Sequence, residues 1–183
     1  MILDLPQSAR ENSAHFSGRT WLLPEISRWL EKGNERVLVL TGAPGSGKSM
    51  VAAWLAGAGT EPADGRVRGQ LDAIRAAVAA AHFCVFASGN TTPGAFARGM
   101  ARQLATNIPR FAEALTASLP DVIHINVQQH AGTVHGTVTG VRIDSLELRE
   151  MDEQARFDRV FRQPLIELYR LGWSSPMLRF WSR

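Results

Sequence analysis

Apolar residues along this chain recur mostly at helical spacing, and only a few short runs read as strands. Leu22, Ile26, Trp29 and Leu30 share one face between Trp21 and Lys32, which predicts an amphipathic helix entered through Thr20 and ended before Gly33-Asn34. Leu71, Ile74 and Val78 place a further helix over 70–80. Phe96, Met100 and Leu104, with Ala97 and Ala101 beside them, mark another core-facing face, and 108–118 adds a short helix. Phe157, Phe161, Leu165 and Leu168 trace a last helix, bent or broken by Pro164, which lacks the N–H a helix interior needs. Residues 1–15 carry no such stripe and are expected to form a flexible polar lead. The stretch 57–69, rich in glycine and charge, reads as a mobile surface loop.

The strand-like runs are shorter. Val37-Leu38-Val39-Leu40 predicts a buried strand, and His82-Phe83-Cys84-Val85-Phe86 a second one. Val122 to Val127 and Thr133 to Ile143 are β-rich, and the glycines at 132, 136 and 140 suggest a hairpin on the domain edge. Asp144-Ser145-Leu146-Glu147 has the form of a helix capping box. Strands alternating with helices predict an α/β domain over 16–183, with three layers on a mainly parallel sheet and a peripheral hairpin near 122–143.

Between the first strand and a helix over 50–56 lies Gly42-Ala43-Pro44-Gly45-Ser46-Gly47-Lys48-Ser49, which matches G-x-x-x-x-G-K-[ST] at every fixed position. From this chain's composition chance yields ~0.002 such matches, so the run is treated as a phosphate-binding loop. Strand, glycine-rich loop and helix suit the chemistry. Successive backbone N–H groups, with the open N–H groups and dipole at the helix start around Met50, make an anion cradle. Glycines let the backbone close where a Cβ would clash. Lys48 is expected on the β- and γ-phosphates, and the Ser49 hydroxyl on Mg²⁺.

The remaining composition changes the picture little. The 183 residues, 45% hydrophobic, suffice for one packed core. A formal net charge of +3 is carried almost wholly by scattered arginines, so no nucleic-acid groove is indicated. The single cysteine, Cys84, excludes an internal disulfide and is expected as a small core residue. No apolar run approaches ~18 residues, so no membrane span is expected and the chain is read as cytoplasmic. His124, His130 and His135 fit no standard zinc spacing, and His82 reads as a hydrogen-bonded core histidine.

Three stretches together give the chain a wider likeness: Phe16-Ser17-Gly18-Arg19 ahead of the helix ending Trp29-Leu30, the loop itself, and His82-Phe83-Cys84 with Thr91-Thr92, Phe96 and Gln103-Leu104. In these it resembles the signal-transduction NTPases of the NACHT and related STAND type, relatives of the AAA+ ATPases. A weaker echo lies at Phe157 to Pro164-Leu165. The resemblance implies a P-loop NTPase core that binds ATP in the first place and GTP in the second, with Mg²⁺. It places Phe16 and Arg19 near the base, and it implies self-association or protein partners in a signalling assembly. It also implies an acidic strand soon after the Pro164-Leu165 helix, but no carboxylate follows Glu167. Asp144 is the one strand-end carboxylate, with the helix-cap reading beside it. The chain therefore reads as cut short before that strand, binding nucleotide with weak or absent hydrolysis and with no catalytic residue assigned. Two other readings stay open: a small-molecule or nucleotide kinase using the same loop, and a structural remnant that does not bind.

Overall fold

Helices carry most of the chain, and each forms where an apolar stripe can be buried or a side chain caps the end. The computed structural model describes residues 3–14, 16, 18–32, 35, 37–86, 89–118, 123–127, 143–148, 152–170 and 180–182. The chain divides into two compact units, one of Leu3–Phe83 with Ser175–Arg183 and the other of Cys84–Ser174.

In the first unit, helix α1 spans Gln7–Ser13 and α2 Leu22–Lys32. Strand β1 covers Val37–Val39, α3 Lys48–Leu55 and α4 Gly65–Ala76. Helix α1 lies within the lead of residues 1–15, and its Ser13 is fully buried, with the hydroxyl donating back to Ala9 O at 2.7 Å. Leu22, Leu23 and Ile26 of α2 meet Val51, Trp54 and Leu55 of α3, together with Leu71 and Ile74 of α4. Each such fully buried side chain contributes about 1.5–3 kcal/mol relative to exposure. Arg75 ties α4 to the end of α3 by donating to the carbonyls of Trp54 and Ala58 while pairing with Glu61. Helix α4 begins five residues before the predicted 70. Asp64 is its N-cap and accepts from the backbone N–H groups of Arg66 and Val67 at 2.7 and 3.1 Å, which outweighs the two glycines inside the helix.

In the second unit, α5 runs Pro93–Asn107 and α6 Pro109–Ala117, each with proline in its first turn, where no intrahelical donor is lost. Strands β2 (Ile123–Val127) and β3 (Ile143–Leu148) pair antiparallel, with Ile123 opposite Leu148 and Val127 opposite Ile143. The described second strand spans 143–148, and of the predicted 133–143 only Ile143 is among the described residues, as the first residue of this strand. Asp144 belongs to it and does not start a helix. The intervening 128–142, with His130 and His135, lie outside the described residues. Helix α7 (Glu153–Phe157) passes through a π turn over Asp158–Arg162 into α8 (Gln163–Arg170). The wider turn, closed from Gln163 N–H to Asp158 O, carries the helical path through Pro164 without the break its sequence position suggested. Phe96 of α5 packs on Phe157 and Phe161 with ring centroids at 6.2 and 5.4 Å. Gly94 lets α7 approach, since a Cβ there would strike the Glu153 carboxylate and lie 3.0 Å from Arg156 Cδ.

The predicted three-layer domain on a mainly parallel sheet is not what forms. The described residues are mostly helical, and their strands make two two-stranded ladders, β1 with β4 (Phe180–Ser182) in parallel and β2 with β3. Strand β1 is only three residues long, and Val37 and Val39 remain 52% and 50% exposed, whereas a parallel sheet requires strands buried on both faces. The run His82–Phe86 forms no strand. Val85 N–H donates to the Asn90 side chain at 2.7 Å, using a donor that a ladder would need. Phe86 is 92% exposed, and Cys84, expected in the core, is exposed too. Short apolar runs carry no periodicity that separates strand from irregular chain. No helix among the described residues is long and apolar enough to cross a membrane.

Candidate phosphate-binding site

Strand β1 leads through Leu40-Thr41 into the loop, and the loop leads into α3. Its turn is closed by Ser46 N–H donating to Ala43 O at 3.2 Å. Gly45 and Gly47 have φ of +77° and +87°, in the left-handed region that L side chains rarely adopt, and Gly47 is the N-cap of α3. A Cβ on Gly42 would come within 2.8 Å of Ser46 Oγ, so a larger residue there would force the Ser46 hydroxyl to turn away. No side chain caps α3, which leaves the first N–H groups of the helix, those of Lys48, Ser49 and Met50, to whatever lies before them. Val51 N–H makes the first helical bond, to Gly47 O at 2.9 Å.

The cations gather on this loop. Lys48 Nζ donates to the carbonyls of Gly42 and Ala43 at 2.8 and 2.9 Å and stands 3.4 Å from Ser46 Oγ. Arg19 Nη2 donates to Ser46 O at 2.9 Å from a residue 27 positions earlier. These groups open onto a cavity of about 160 Å³. Gly42, Ser46, Lys48 and Arg19 line it, and so do Trp21, Leu22, Leu40, Thr41 and Val51. Ala43, Pro44, Gly45, Gly47, Ser49 and Met50 complete the loop and helix start without lining it. Phe16 lies behind the loop. Its ring packs on Trp54 at 5.8 Å, and its Cε2 is 3.9 Å from where a Gly47 Cβ would be. Thr41, Trp21 and the aliphatic wall were missed by reading the motif alone. The one sequence signal toward them was an aromatic, Trp21, two residues after Arg19; the structure leaves it 62% exposed.

Residues 18–151, well over half of the chain, match the family described as nephrocystin 3, N-terminal. The chain belongs to the nephrocystin 3 N-terminal family. No characterised protein and no solved structure matches it. The stretch shared with the nephrocystin 3 N-terminal family contains the whole loop and Arg19, while Phe16 and residues from 152 onward fall outside it. The match does not by itself assign the domain to the NACHT or STAND NTPases. Among the described residues no group of His, Cys, Asp or Glu is placed to hold a metal ion.

Proposed function

We propose that this nephrocystin 3 N-terminal domain binds a nucleoside triphosphate, ATP before GTP, through the loop 42–49, as a module of a signalling-switch NTPase. The observation that supports this most is the loop's shape. Two left-handed glycines and an uncapped α3 offer backbone N–H groups, with the Lys48 ammonium held directly over the loop carbonyls. A phosphate carries full negative charge and accepts more strongly than those carbonyls, so Lys48 exchanges them for phosphate oxygens as the anion enters.

The cavity's size bears on how the ligand sits. About 160 Å³ lies below the ~300 Å³ at which small-molecule pockets begin, which suits a phosphate chain and not a whole nucleotide. Base and ribose then lie at the mouth, where Trp21 offers an exposed indole and Leu22, Leu40 and Val51 an apolar wall. Ser49, exposed as the second residue of α3, would hold Mg²⁺ through its hydroxyl, and the ion would neutralise charge across the phosphate oxygens.

Turnover is a separate matter. No carboxylate among the described residues lines the cavity, and phosphoryl transfer depends on a placed group to orient the attacking water. The reading is therefore binding with negligible hydrolysis. Thermal melting with and without Mg-ATP tests it: wild type is stabilised and Lys48→Ala is not, while both are folded without ligand. Equal responses of the two proteins would refute it.

A further inference from the structure

We infer that Arg19 is a positioning residue of the phosphate loop, which acts by fixing the Ser46–Gly47 peptide and not by touching the base; this rests on the nucleotide-binding reading above. Among the described residues Arg19 is the one residue other than glycine with a positive φ, +61°. Such a conformation is disfavoured for a side chain of this kind and persists only where the surroundings hold it. The hold is visible on both sides. Arg19 O accepts from Leu22 N–H at 2.9 Å, which pins the residue to the start of α2, and Gly18 before it is also left-handed at +85°. Glycine or asparagine would adopt this backbone with less strain, but neither side chain could reach the loop. The guanidinium does reach it, and donates to Ser46 O at 2.9 Å.

Peptide geometry turns that bond into control of the cradle. The peptide between Ser46 and Gly47 is trans, so the Ser46 carbonyl and the Gly47 N–H point in opposite directions. Holding the carbonyl toward Arg19 holds the Gly47 N–H away from it, in the arc that Gly45 and Gly47 bend with their left-handed φ. Lys48 steadies the other end of the loop through the Gly42 and Ala43 carbonyls, and an anion draws Lys48 off them. The Arg19 bond involves no phosphate ligand and persists through that exchange. It preorganises the donors before the anion arrives, which lowers the cost of ordering them on binding.

The test compares wild type, Arg19→Ala and Arg19→Lys in the full 183-residue chain by calorimetric titration with Mg-ATP and, separately, with Mg-tripolyphosphate, which has no base. The ¹⁵N–¹H resonance of Gly47 is recorded before any ligand is added. Arg19→Ala is expected to weaken both ligands by the same factor, up to about tenfold, the cost of ordering on binding a peptide that the wild type holds in advance. It is also expected to shift the Gly47 resonance, while Arg19→Lys recovers part of both effects. A loss for Mg-ATP alone would make Arg19 a base contact and overturn the inference. So would unchanged binding of both ligands, or an equal loss with an unmoved Gly47 resonance, which marks a direct phosphate contact. A wild-type chain that binds neither ligand would overturn the nucleotide reading, and this inference with it.

Discussion

At the scale of single residues, the proposed function sets an energetic contrast between a loop that holds itself together and one that receives an anion. Lys48 and the left-handed Gly47 bear most of that contrast. Replacing Gly47 by alanine forces a side chain into φ near +87°, which costs about 1–2 kcal/mol, while the added Cβ would meet Phe16 only at an ordinary 3.9 Å contact. Gly47→Ala is therefore expected to lower both the melting temperature and the affinity for Mg-ATP; an unchanged affinity would mean the loop's donors are not the binding groups. Asp64 offers a control outside the site. Removing its cap on α4 by Asp64→Ala should cost ~1 kcal/mol in denaturant unfolding, with Asp64→Asn recovering most of it and ATP affinity unmoved in either. The motif residues were legible in the sequence because all their geometry is local, eight consecutive positions between a strand and a helix. The Arg19–Ser46 bond was not, because it spans 27 residues and depends on a backbone conformation that no composition signals.

Elements differ in how openly the sequence announced them. Helices α2, α5 and α6 could be read because their apolar faces repeat every three to four residues and each face is buried: Leu22, Leu23 and Ile26 in one, Ala97, Met100 and Leu104 in another, Phe111 and Leu115 in the third. Helix α4 was placed late because Gly65 and Gly69 suggested a loop, whereas a good cap at Asp64 suffices to start the helix through them. At β3 the capping spacing of Asp144 and Glu147 predicts a helix start, whereas Leu146 and Leu148 alternate as a strand's residues do. The packing of α5 on α7 makes a sharper prediction. Gly94 is buried against Glu153 and Arg156, and Glu153 accepts from its N–H. Gly94→Ala should destabilise the protein by about 1–3 kcal/mol, the usual cost of overpacking a close contact. Thermal or denaturant unfolding measures it, and a neutral result would show that the two helices are free to part.

The whole molecule departs from the sequence reading most. Four apolar residues ahead of a phosphate loop suggested a buried strand in a broad sheet, but β1 is three residues long, half exposed at Val37 and Val39, and paired only with β4 among the described residues. The apolar stripes bury one another between helices in each of the two units, and that burial organises the described chain. For activity, the proposed cradle has cations and, among the described residues, no carboxylate in its lining, so hydrolysis of Mg-ATP is expected far below ~1 per second, and a faster rate abolished by Lys48→Ala would place a carboxylate in the site.

Binding itself is the central claim, and calorimetric titration of the 183-residue chain with Mg-ATP, beside Lys48→Ala, tests it most directly. The account predicts one saturable site in the wild type, worth ~2.7 kcal/mol of added stability at a hundredfold excess over the dissociation constant. It predicts no heat of binding in Lys48→Ala, although that variant is folded without ligand. Absence of binding in the folded wild type, or equal binding by both proteins, would contradict it.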